Sequence, residues 1–223
     1  MCTLSDPSTP IVQFISPLAA AFFGSFATYL FGVYRENKKE NSNKTQAAQQ
    51  VLFTLIRQYN VISRIKRDFF TEYKDYPDRH LRILPAIDSD YSDLRINIDS
   101  ISFLLSTKFR DTLNEILQFE SIFHVIIVAI TNRSKSHFEL QKKCESAGIG
   151  KETIITPELI QQIISDRLDI ILKKSTDEIY NLLDEWDKSF MPVIEKFRNE
   201  LIKLFPGHKF IRPEIIKKPK QMS

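Results

Sequence analysis

The feature that most constrains this chain is an absence. Residues 11–34 contain no Asp, Glu, Lys, Arg or His. Coiled as a helix at ~1.5 Å per residue, the run covers roughly 36 Å, against a hydrocarbon core of ~30 Å. Thr9-Pro10 and Ser16-Pro17 both read as helix starts, a capping hydroxyl followed by a proline whose missing N–H costs nothing in a first turn. Two alternatives compete, a cleaved signal peptide and a buried core helix. A signal peptide needs a cationic leader and a small-residue cleavage site. Residues 1–10 carry no Lys or Arg, and the run ends in Leu30, Phe31, Val33 and Tyr34. The expectation is therefore a transmembrane helix over 11–34. Arg35, Lys38, Lys39 and Lys44 follow it and no cation precedes it. The positive-inside rule then puts residues 1–10 outside and the remainder in the cytoplasm.

Within the run, Ser16, Ala20, Gly24, Thr28 and Gly32 recur every four residues. On a helix they form one slowly turning stripe of small side chains, with Phe14, Leu18, Phe22, Phe26 and Leu30 on the opposite surface. Lipid supplies no hydrophobic reason for helices to associate, but close backbone approach along small residues does, and Thr28 adds a hydroxyl. The stripe predicts contact with another transmembrane helix, and a second copy of this chain is the nearest source of one.

The rest reads as helical. Only five glycines occur among 223 residues, and 43% of the chain is hydrophobic, enough to bury a core. A mean hydropathy of −0.21 excludes a multi-span transporter. A net charge of +3 is too small to point to nucleic acid. Cys2 and Cys144 form no disulfide framework or metal spacing. Leu52, Leu55, Tyr59, Ile62, Phe69 and Tyr73 mark the inward face of an amphipathic helix, with Arg57, Arg64, Lys66, Arg67 and Asp68 outward. Pro77 and Pro85 mark a loop, and a shorter helix follows over 94–105. A long helix then runs to about Ser146, closed by Gly148 and Gly150. Thr156-Pro157 starts another helix. Ser175-Thr176-Asp177-Glu178 fits a capping box and predicts a restart, continuing to Phe205 with a kink or break at Pro192. Trp186, Phe190, Phe197 and Leu201 share one face of it and belong in a core. Pro206-Gly207 ends it.

The organisation expected is all-α: an outer segment 1–10, a transmembrane helix 11–34, a basic polar linker 35–46, a cytoplasmic helical bundle 47–207 and a basic tail 208–223. A second span near 116–136 is the main rival, because 122–130 (IFHVIIVAI) is strongly apolar. It is short, however, and a full-length span would take in Glu120 or reach Arg133. A buried core helix is the expectation there.

No catalytic, cofactor-binding or metal-binding constellation is present. His80, His124, His137 and His208 lack partners at ligand spacing, and His124 reads as a satisfied core histidine. Asp88 and Asp90 read as solvated loop acids. In "NRSKSH", residues 132–137, Arg133 and His137 resemble the Arg–His motif of HEPN ribonucleases, helical proteins that cleave RNA at a dimer interface. Three residues rather than four separate the pair, and Asn132 occupies the place of the Arg. The reading adopted is a solvated helix end.

The layout as a whole resembles the small membrane effectors of bacterial antiphage systems, namely those paired with retron reverse transcriptases and the HEPN-like membrane accessory proteins of RNA-targeting CRISPR systems. That resemblance implies a non-enzymatic effector in the bacterial inner membrane. It would form a homo-oligomer, perturb the bilayer and answer to a protein or ribonucleoprotein regulator. A passive anchor that recruits a cytoplasmic partner is the alternative.

Overall fold

A computed structural model describes residues 9–86, 91–149 and 157–213, with side chains from Ala20 onward except those of Pro157, Glu158 and Gln161. All regular structure among them is helical. The chain divides into two compact units, 1–46 and 47–223.

Helix α1, Thr9–Ile65, is continuous. It starts at the first of the two Thr/Ser-Pro pairs, so Ser16-Pro17 lies inside the helix and is not its beginning. The linker expected over 35–46 is helical too, within α1. Beyond Ala47 the inward face is apolar: Ala48, Leu52, Leu55 and Ile62 are at most 1% exposed. The helix ends in a wide π turn, Lys66–Phe70, where the Lys66 carbonyl accepts from both the N–H and the hydroxyl of Thr71, each at 2.9 Å. That turn buries Phe70, whose ring meets Tyr180 edge-on at 5.5 Å and whose carbonyl accepts from the Tyr180 hydroxyl at 2.7 Å.

A one-turn helix α2, Arg79–Arg82, follows. The shorter helix expected over 94–105 forms as two 3₁₀ segments, Ser92–Leu94 and Ile98–Ser106. Helix α3, Arg110–Ser146, and helix α5, Asp166–Leu204, make the most extensive packing, with the short α4, Pro157–Ile163, between them in sequence. Their shared centre is aromatic. Trp186, fully buried, stacks on Phe190 at 4.3 Å. Phe119 meets both edge-on, at 5.9 and 5.3 Å, and Tyr59 of α1 stacks on Phe190 at 5.3 Å. Edge-on and offset contacts of this kind add ~0.5–1.5 kcal/mol each beyond area burial.

Two expectations for α5 are corrected. The helix begins at Asp166 after Ser165, not at Ser175. Thr176 is fully buried, and the Ser175 hydroxyl donates back to the Leu172 carbonyl at 3.1 Å. The helix also continues through Pro192, so of the kink or break expected there the break does not form. Pro192 is exposed while Phe190 and Ile194 on either side are buried, so packing holds the helix across the lost hydrogen bond. The glycines that end helices behave as their chemistry requires. Gly148 (φ 77°) and Gly207 (φ 90°) adopt left-handed conformations just past α3 and α5.

Leu81, Leu140, Cys144, Ile164, Leu168 and Leu172 form a second apolar cluster apart from the main core.

Candidate functional site

Three places carry the residues singled out by sequence. The first is the start of α1. Every side chain from residue 20 to 43 is exposed. Eight of them are large and apolar, among them Phe22 and Phe23 at 68% and Phe31 at 69%. No polar face alternates with them before Arg35. The Ser and Thr hydroxyls between Ala20 and Arg35 are both satisfied within the helix: Thr28 Oγ1 donates to the Gly24 carbonyl and Ser25 Oγ to the Ala21 carbonyl, each at 2.8 Å. Thr28 is thus bonded locally, where the stripe suggested a bond across helices. A Cβ added at Gly24 or Gly32 would meet nothing within 4 Å, so that side of the helix is open. The side chain of Ser16 lies outside the described residues. Of the flanking cations, Arg35, Lys38 and Lys39 are exposed and Lys44 pairs with Glu40 one turn back.

The second place is the Arg133–His137 segment, and here the solvated helix end is overturned. Arg133 is 2% exposed and His137 4%. The Arg133 guanidinium faces backbone oxygens. It donates to the carbonyls of His80 (3.1 Å), Ile83 and Leu84 (3.4 Å), and through Nε to Thr176 Oγ1 (3.0 Å). One residue on, Ser134 Oγ accepts from the Ala86 N–H at 3.1 Å. One turn on, His137 Nε2 lies 3.3 Å from the Leu81 carbonyl, which can only accept, so this nitrogen carries the proton. Residues 80–86 therefore form a strap whose backbone is held by α3. Its other side is tied to α5. Arg79 pairs with Asp177 at 2.7 Å and lies over the Tyr180 ring at 4.4 Å, and His80 Nε2 reaches Asp169 at 2.9 Å.

Burial lowers the Arg133 pKa to about 10, and burial followed by the Arg133 charge lowers that of His137. At neutral pH the guanidinium stays charged and the imidazole neutral. Carbonyl dipoles, not a carboxylate, compensate the buried charge, which makes the arrangement costly to disturb. The geometry is that of a backbone clamp: the guanidinium points into carbonyls rather than toward a bound substrate. The missed signal was periodicity, since Ile130, Arg133, His137, Leu140 and Cys144 share one buried face of α3.

The third place is the apolar segment of α3. This helix is long and apolar enough to cross a membrane by length and composition, with 33% of its most apolar window buried. Yet Glu120 is engaged on three sides. It accepts from Gln58 Nε2 at 2.6 Å and the Ile96 N–H at 3.1 Å, and His124 Nε2 lies 3.1 Å away. Gln58, fully buried, also donates to the Leu94 carbonyl at 2.7 Å. His124 is accordingly a partly exposed partner of Glu120 rather than a core histidine.

His208 lies past the end of α5, 6.4 Å from the Phe205 ring. Asp88 and Asp90 lie outside the described residues. Among the described residues, no group of three or more His, Cys, Asp or Glu side chains is arranged to hold a metal. Comparison with family models, with curated proteins and with solved structures gave no match.

Proposed function

We propose that this chain is a membrane-anchored effector. The first part of α1 spans the bacterial inner membrane, and copies associate along Ser16, Ala20, Gly24, Thr28 and Gly32. They perturb the bilayer when a cytoplasmic regulator releases the helical bundle formed by 47–207. The observation that carries the reading is that every described side chain from residue 20 to 34 is exposed, eight of them large and apolar. In water such a surface is a severe liability, and in lipid it is the required one. The back-bonded Thr28 and Ser25 fit an environment with no water to satisfy a hydroxyl. The engagement of Glu120 favours this helix over α3 as the span, because inserting α3 would strip that carboxylate of Gln58 and the Ile96 N–H. Action on the bilayer is in keeping with the resemblance to antiphage effectors.

A second reading, a passive anchor that recruits a partner, is favoured by Val125 and Val128, which leave an apolar patch on the outer face of α3 about half exposed.

Induction of the wild type, Gly24→Leu and Gly32→Leu with a potential-sensitive dye and in-membrane crosslinking tests the proposal. Leucine preserves hydrophobicity but holds backbones apart. Wild type should crosslink and depolarise cells, and both variants should lose both properties. Unchanged crosslinking in the variants rejects the stripe as the seam. Crosslinking without depolarisation by the wild type leaves only the passive anchor.

A further inference from the structure

Helices α2, α3 and α4 surround a cleft of about 500 Å³ beside the strap, a size typical of small-molecule sites. Its floor is apolar apart from the buried His137. Leu81, Leu140 and Cys144 of the second cluster are 3–6% exposed, and Ile160 packs against them.

The mouth carries Arg82, Gln141 and Glu145. Their charges are not equivalent. Arg82 is engaged by Asp78 one turn back, at 2.7 Å. Arg133, behind the strap, is committed to carbonyls. Glu145 makes no ion pair among the described residues. It also lies in the last turn of α3, which ends at Ser146, where the helix dipole is negative and disfavours a carboxylate. A carboxylate without an ion pair among the described residues, at a helix C-terminus, thus stands above an apolar floor.

We propose that this cleft binds a small amphipathic amine. Its apolar body lies on Leu81, Leu140 and Ile160, and its protonated nitrogen sits at Glu145, with the Gln141 amide oxygen as a second acceptor. The occupant touches the strap directly through Leu81 and Arg82. The same strap is tied to α5 through Asp169 and Asp177, so binding reinforces the link between α3 and α5.

The test uses the full chain in lipid nanodiscs, titrated calorimetrically with three probes of one body and different heads: para-butylbenzylamine, para-butylbenzyl alcohol and para-butylbenzoate. Empty nanodiscs are subtracted. The amine should bind saturably and about three- to fivefold more tightly than the alcohol, the gain expected of a partly exposed charge pair, with the benzoate weakest. Glu145→Gln should erase the preference for the amine and leave alcohol binding unchanged. Gln141→Trp, at a half-exposed helical position, should fill the mouth and remove binding of both. Thermal unfolding matching wild type shows that each variant is folded. Absence of saturable binding by any probe overturns the proposal. Equal affinity for amine and alcohol, or a preference for the amine that survives Glu145→Gln, overturns it equally.

Discussion

Two stretches of the same helix make opposite use of hydrophobic side chains. In residues 20–34 of α1, apolar groups cover the whole circumference and all are exposed. In residues 47–65 they gather mainly on one face, where Leu52, Leu55 and Ile62 are buried while Phe53 is half exposed and Arg57 and Arg64 face outward or lie at the margin. The backbone hydrogen bonding is helical in both. Helix formation is thus indifferent to where the apolar groups lie, but the choice of solvent is not. A one-sided pattern is satisfied by packing against α3 and α5, and the all-round pattern is the one the proposed membrane span requires.

The comparison breaks if a core change and an anchor change have the same effect. Trp186→Ala should be the largest perturbation, removing ~3–5 kcal/mol of unfolding stability while leaving the protein in the membrane fraction. Denaturant unfolding in detergent with parallel fractionation checks both halves, and a loss under ~1 kcal/mol would show that the aromatic centre is not the core. Phe26→Arg is the mirror experiment. A central arginine opposes insertion by ~2.5–3.5 kcal/mol, so protein should shift from the membrane to the soluble or aggregated fraction. Its unfolding midpoint in detergent should match wild type, and unchanged membrane retention would argue against 11–34 as the span.

Arg133→Lys sharpens the contrast inside the body. Lysine keeps the charge but lacks the planar fork that serves the carbonyls of His80, Ile83 and Leu84 together with Thr176. A loss of ~1–3 kcal/mol is expected, with earlier hydrogen exchange in residues 80–86. Wild-type protection there would show that the clamp is dispensable. The smallest effect is pH dependence. The pKa of His137 is lowered in the folded protein from its ordinary 6.5. The native state therefore binds fewer protons than the unfolded one just below that value. Stability should be full above about pH 6.5 and fall as pH drops through the folded pKa. The lowered carboxylates Asp78 and Asp184 lose their contribution only below their ordinary 3.8, outside that window. His137→Gln should flatten the slope between pH 6.5 and 5, and an unchanged slope would assign it to another group.

Much of the local architecture was legible because its causes are local. Gly148 and Gly207 mark helix ends because a left-handed residue costs glycine nothing. The apolar period of α5 pointed Trp186, Phe190, Phe197 and Leu201 into the core, where they are at most 1% exposed. Where local signals competed with packing they lost. The capping box at Ser175 was overruled because Thr176 is required inside as the acceptor for Arg133, and Pro192 was tolerated because its neighbours are buried on both sides.

By itself the sequence determined that the described chain is helical, that residues 11–34 carry no charge, and which faces of residues 52–73 and 186–201 are apolar. These follow from residue spacing along a backbone of fixed geometry. Only the tertiary structure decided the fate of the polar residues set among apolar ones. Arg133 found carbonyls 49 to 53 positions away, and Glu120 found Gln58 across 62. The physical reason is that a buried polar group is defined by its partner, and a partner that distant leaves no periodic trace in the sequence.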